Sequence, residues 1–182
     1  MSNQGQICTA TSRILVQDEV YDSFVKEFVK TVKEVSKVGD QWDESTYQGP
    51  QVSKQQYERI LAHIESGKQE GAKVAMGGVK KGDKGFFIEP TVFTDVDDKM
   101  KIYREEIFGP VVVISRFSSE EDAIQRANDT TYGLGSAVFT QNLERAHRVA
   151  AEIEAGMVSP FKTIEILTLR LMFITGLDQQ QQ

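Results

Sequence analysis

The stretch NQGQICTATSR, residues 3–13, holds Cys8, the single cysteine of the chain. A thiol attacks only as its thiolate, and reactive cysteines sit in loops or at element ends where backbone N–H groups and polar neighbours steady the charge. Gly5 and the small residues Thr9, Ala10, Thr11 and Ser12 leave room for close approach of a substrate, so the segment suits nucleophilic chemistry. A small buried filler is the competing reading of a lone cysteine. His63 and His147 stand far apart, with no cysteine or carboxylate at metal-ligand spacing, which argues against a metal site. Glu105 and Glu106 are adjacent on an extended segment, so their side chains point apart and make a poor acid–base pair. No phosphate-loop pattern occurs.

Composition bounds what such a thiol could serve. The chain has 182 residues, 40% of them hydrophobic and 26% charged, which is ordinary for one globular core. A net charge of -6 and a pI near 5.1 supply no electropositive face for nucleic acid or anionic lipid. One cysteine makes no internal disulfide, and the N-terminus lacks the order of a secretory signal, so a reducing compartment, the cytoplasm, is expected. The mitochondrial matrix fits equally if a targeting segment has been lost. The nearly apolar run ILTLRLMFITGL, 166–177, is too short to span a bilayer and carries Arg170.

The elements that would position the thiol follow from periodicity. Apolar spacing alternates between two and about 3.6 along the chain, the pattern of strands and helices taken in turn. RILVQ (13–17) reads as a buried strand and Val20 to Val35 as a helix capped by Asp18. Ser53 opens a second helix, with Gln56 at capping-box spacing. AKVAM (72–76) reads as a short strand, and 86–96 is extended, with Pro90 pointing to an edge or a bulge. VVVISRF (111–117) is apolar on consecutive positions, as a strand buried on both faces should be. Ser118 with Glu121 caps a helix over 119–129; SAVFT (136–140) is the next strand, and Leu143, Ala146, Val149, Ala150 and Ile153 mark the last helix. This grammar specifies an α/β fold: a doubly wound, mainly parallel sheet with flanking helices.

Two motifs in order, GQIC around Cys8 and EEIFGPV at 105–111, resemble the aldehyde dehydrogenase superfamily. QGPQV (48–52), GGV (77–79), EPTVF (89–93) and TYGLGSAVFT (131–140) are similar to that family too, and follow its order. The resemblance implies a catalytic domain over 1–158 and a divergent tail over 159–182. It implies that Cys8 adds to an aldehyde, that the resulting thiohemiacetal is oxidised by NAD or NADP, and that water cleaves the thioester to a carboxylic acid. The Cys8 backbone N–H would be one oxyanion donor. Glu106 and Phe108 match the positions that hold the nicotinamide ribose and flank the ring. Read without the motif, the first is a surface carboxylate and the second a core ring. Gly109 and Pro110 are expected to shape a turn, and Asn128, Tyr132, Gly133 and Leu134 to pack and cap a helix-to-strand corner.

The chain also departs from the family. Before NQGQIC there is no dinucleotide-binding segment, oxyanion asparagine or general-base glutamate, so the sequence reads as a piece of something larger. After AGMV (155–158) the tail keeps only Pro160, Phe161 and Lys162 as an echo. Two functions therefore stand: the catalytic part of an aldehyde dehydrogenase, and an inactive fragment that acts only as a binding protein. A redox-sensing thiol is a third. The family implies a homo-oligomer, and the apolar tail segment 164–174 is expected to promote association through exposed sheet edges.

Overall fold

As a computed structural model, the chain is described over residues 1–161 and, for the backbone alone, 172–176. After a 3-10 turn at Ser2–Gly5 come β1 (Thr11–Gln17), α1 (Asp18–Val35), α2 (Lys54–Gln69), β2 (Lys73–Met76) and β3 (Thr91–Thr94). The chain continues through α3 (Lys101–Arg104), β4 (Val111–Phe117), α4 (Glu120–Asn128), β5 (Gly135–Phe139), α5 (Leu143–Glu152), β6 (Met157–Phe161) and β7 (Met172–Gly176). The strands form one seven-stranded sheet in the order β2-β3-β4-β1-β7-β5-β6. β1 with β4, β3 with β4, and β5 with β6 are parallel. β2 is antiparallel to β3, and β7 runs antiparallel to both of its neighbours.

Helices cover both faces, as the period-two alternation of β4 requires. Val112 and Ile114 pack with Tyr21 and Phe24 of α1 on one face, while Val111 and Val113 pack with Ile60 and Ile64 of α2 on the other. Each such fully buried aliphatic side chain contributes about 1.5–3 kcal/mol. A further cluster joins Leu15 and Phe117 to α4 and α5 through Ala123, Ala127, Val138 and Val149. Asp98 chelates the Arg126 guanidinium at 2.6 and 2.7 Å, tying the loop before α3 to α4. Burial works against the Arg126 charge, but these hydrogen bonds prevail and hold its pKa above the usual arginine value.

Three local expectations change. The N-cap of α1 is Gln17 and not Asp18, because β1 runs up to Gln17 and already gives it the extended backbone a cap needs; Asp18 lies in the first turn. Ser119 and not Ser118 caps α4, accepting from the Asp122 N–H at 3.1 Å, since β4 ends one residue before Ser118. Pro90 sits just before β3, which is second from the sheet edge, and the irregularity falls on β2 opposite, between Val74 and Met76.

β6 crosses the expected boundary after residue 158, and of the segment 164–174 only the backbone of 172–174 is described; the rest lies outside the described residues. Among the described residues no helix is long and apolar enough to cross a membrane.

Candidate active site

Cys8 is exposed, in a turn closed by the Ala10 N–H on the Ile7 carbonyl at 2.8 Å, immediately before β1. The approach to this turn is left-handed: φ is 48° at Asn3, 57° at Gln4 and 70° at Gly5. At Gly5 the glycine is obligatory. A Cβ there would stand 1.8 Å from the Gly109 carbonyl oxygen, so the backbone before Cys8 lies directly against the backbone after Phe108. QGPQV steadies the same loop. The Val52 N–H donates to Gln6 Oε1 at 3.1 Å, and Gln48 Nε2 donates to the Met1 carbonyl at 2.6 Å.

Residues 105–109 form an irregular segment between α3 and β4, with Phe108 at φ 54°, a conformation that bulky side chains avoid. Such a segment needs partners for its own carbonyls, and α2 supplies them. Gln56 Nε2 donates to the carbonyls of Ile107 at 3.1 Å and Phe108 at 2.8 Å, and Arg59 Nη2 donates to that of Glu106 at 2.9 Å. His63 Nε2 meets Glu105 Oε2 at 3.1 Å. Positions 56, 59, 60 and 63 share one face of a helix. On that face Ile60 packs so closely that a Cβ at Gly109 would lie 2.6 Å from it. From the other side the Glu106 N–H donates to the Tyr132 hydroxyl at 3.2 Å.

The expected site residues are thus brought to one end of the sheet, where β1 and β4 begin. A cleft there is lined by Gly5, Ile7 and Ala10 from the Cys8 loop and by Glu106, Phe108 and Gly109 opposite. Both Glu106 and Phe108 are half-buried. The enclosed space is about 20 Å³, room for one water. Open α/β sheets commonly bind ligands beyond the carboxyl ends of their strands; here the cleft lies at the amino ends, because both chemical motifs precede the strands they lead into.

Sequence reasoning missed the clamp. Gln56 takes the capping-box position and its backbone N–H reaches Ser53 Oγ at 3.2 Å, but its side chain goes to residues 107 and 108 instead of back to the cap. His63 is not alone, as its sequence surroundings suggested: it is 4% exposed and paired with Glu105. Tyr132 serves the site and not only the corner, whereas Asn128 does cap, through the Glu152 carbonyl and the Glu154 N–H. The available signal was the placement of Gln56 and His63 beside Ile60 and Ile64, polar residues on an apolar stripe. Among the described residues no three His, Cys, Asp or Glu side chains are grouped to hold a metal ion.

Comparison with known proteins gives this arrangement its context. The sequence profile described as "Aldehyde dehydrogenase family" matches residues 1–170. An aldehyde dehydrogenase of Enchytraeus buchholzi is 51% identical over 158 residues, 87% of this chain and 32% of its own length. Mouse retinaldehyde dehydrogenase 3 is 53% identical over 156 residues, 86% of this chain and 30% of its own. Among solved structures, the NAD+ complex of an aldehyde dehydrogenase from Bacillus cereus superposes with a TM-score of 0.84 at 48% identity, covering 89% of this chain and 33% of that one. Betaine aldehyde dehydrogenase from Staphylococcus aureus in complex with NAD+ gives 0.82 at 42% identity, covering 87% and 32%. The chain spans about a third of the length of these relatives, and it belongs to the aldehyde dehydrogenase family.

Proposed function

We propose that this chain carries the nucleophile and the nicotinamide-end contacts of an NAD(P)-dependent aldehyde dehydrogenase, which oxidises aldehydes to carboxylic acids. The observation that carries the proposal is the contact of Gly5 with Gly109, which seats the exposed Cys8 turn against the segment bearing Glu106 and Phe108. The chemistry of those side chains suits the cofactor: a half-buried carboxylate accepts from ribose hydroxyls, and a half-buried ring offers a flat wall.

In this mechanism the Cys8 thiolate forms a bond to the carbonyl carbon, and the charge that develops on oxygen is met by the Cys8 backbone N–H. A bound nicotinamide dinucleotide supplies the hydride acceptor. Glu106 and Phe108 fix its reactive end, held in turn by Gln56 and Arg59 through the backbone. Oxidation leaves a thioester on Cys8 Sγ, and water cleaves it to the acid and the free thiol.

The test is the reactivity of Cys8 towards an aldehyde-mimicking or thiol-directed reagent at neutral pH, compared with a model thiol. The proposal expects saturable labelling faster by about tenfold or more, abolished in Cys8→Ser. A rate equal to that of the model thiol, without saturation, leaves the inactive binding protein as the better reading.

A further inference from the structure

Two exposed features lie outside the candidate site and match one another. The first is the loop that follows α1. Its segment DQWDE, 40–44, carries three carboxylates and no basic residue, and it holds Trp42, the single tryptophan of the chain, 85% exposed. The loop is ordered around that ring. The Trp42 N–H donates to Asp40 Oδ1 at 3.0 Å, the Asp43 N–H to the Asp40 carbonyl at 3.1 Å, and the Thr46 N–H to the Asp43 carbonyl at 2.9 Å. An aromatic ring held out to solvent on an ordered loop gives up little conformational freedom when it is covered, and tryptophan is among the side chains that most often dominate protein interfaces. The second feature is an open groove of about 550 Å³ between α1 and the edge strand β2. Its floor is apolar, built by Val25 and Val29 of α1 with Ala75 of β2. Lys26, Lys30 and Lys33 follow one another at spacings of four and three along one side of the helix, with Glu34 as the one carboxylate of the rim. Lys30 is paired with Glu27 at 3.0 Å, whereas among the described residues Lys26 and Lys33 have no carboxylate at ion-pair distance.

We propose that the Trp42 loop of one copy of this chain seats in the α1–β2 groove of a second copy, with the indole on Val25, Val29 and Ala75 and with Asp40 and Glu44 facing Lys26 and Lys33. Charge complementarity selects this occupant. A basic rim on a chain of net charge -6 calls for an acidic segment, and an apolar floor calls for a bare hydrophobic side chain within it. DQWDE offers both in five residues. Asp43 is already held by Ser45 and Lys37, so Asp40 and Glu44 are the carboxylates left to meet the lysines. The contact joins two different surfaces, and each copy therefore brings one loop and one groove: it closes into a dimer if both loops are seated at once and otherwise runs head to tail. One loop in one groove is a small interface, at the weak and transient end of protein association.

The single tryptophan makes the contact visible in the whole chain. As the chain concentration rises from about 1 µM to 1 mM, Trp42 emission should move to shorter wavelength while sedimentation velocity shows association, with one midpoint for both. Trp42→Ala, and separately Lys26→Glu combined with Lys33→Glu, should each weaken association by about tenfold or more. All three positions are exposed, and circular dichroism checks that the variants keep the fold. Mixing the variants is the decisive step. Trp42→Ala keeps an intact groove and the lysine variant an intact loop, so together they should form a complex that neither forms alone, read from the indole of the lysine variant as the only one in the mixture. A chain that stays monomeric with unshifted emission overturns the proposal and leaves the groove to an acidic partner of another kind. Association that survives Trp42→Ala unchanged runs through another surface and overturns it too, as does a mixture in which the complex fails to form.

Discussion

β4 is buried on both faces and β5 on one, although the two strands lie in the same sheet. Along β4 only Arg116 is exposed, whereas β5 alternates between half-buried Gly135, Ala137 and Phe139 and buried Ser136 and Val138; β6 beyond it leaves Met157, Ser159 and Phe161 exposed. The difference is one of cover. α1 and α2 sandwich β4, but α4 and α5 cover only the Val138 and Val158 side of the β5–β6 pair. It teaches that the sheet has a densely covered half and a thinly covered half, and that the Cys8 turn leads into β1, which pairs with β4 in the densely covered one.

Paired truncations should break this comparison with the largest effect. Ile114→Ala, in the sandwiched half, removes a side chain that is fully buried between β1, β4 and α1 and should cost about 3 kcal/mol or more. Met157→Ala, at the other edge, removes one that is 51% exposed and should cost under about 1 kcal/mol. Denaturant unfolding of both variants measures the gap, and equal losses would mean that the thin half is covered by something the described residues do not include.

The same contrast explains what was legible in the sequence. VVVISRF announced two-sided burial, because a consecutive apolar run is a local property that survives without coordinates, whereas SAVFT was read only as a strand and its one-sided cover came from the structure. Cys8, Glu106 and Phe108 were singled out through ordered motifs; Glu106 and Phe108 line the cleft, whereas Cys8 lies in the turn beside it and is not among the lining residues. The α4 cap was misplaced by one residue, since two neighbouring serines offered the same chemistry and only the end of β4 chose between them. Gln56, Arg59 and Tyr132 were missed as site residues because their partners are backbone atoms of a segment some 25 to 50 residues away, and a backbone group leaves no trace in a side-chain pattern; His63 was missed because its partner, the Glu105 carboxylate, is 42 residues away. β7 is a further case: its central, antiparallel place between β1 and β5 depends on long-range pairing, not on local composition.

A smaller effect sharpens the contrast on the densely covered side. Gln56→Ala withdraws both donors from the Ile107 and Phe108 carbonyls, and Phe108 holds a left-handed backbone with their help. The expected loss is about 1–2 kcal/mol of stability, together with a slower or less selective response of Cys8 to a reagent that spans the cleft. Gln56→Glu should fare no better, because a carboxylate brings acceptors to acceptors. Unchanged melting and labelling in both variants would show that the segment is held by the Ile60 packing alone.

The smallest effect concerns the joint between the two halves. Arg104, the last residue of α3, donates from Nη2 to Asp129 Oδ2 at 2.7 Å and from Nη1 to the Asp129 carbonyl at 2.8 Å, just after α4 and before the turn into β5. The hydrogen bond and charge of Arg104 hold the Asp129 carboxyl below its ordinary range. With the folded value below the unfolded one, the ion pair contributes stability above the ordinary carboxylate range and loses it as pH falls through the folded value. Asp129 is well exposed, so solvent screens the pair and the contribution is modest. Asp129→Asn should therefore melt slightly below the parent at neutral pH and converge with it only once the pH has fallen through the lowered folded value of Asp129, where the parent carboxyl also takes up its proton. The bond to the Asp129 carbonyl remains in both, which keeps the comparison confined to charge. A difference that stays constant from neutral to acid pH would locate the effect in packing at the α4–β5 corner, and the two halves would then be joined by shape and not by this ion pair.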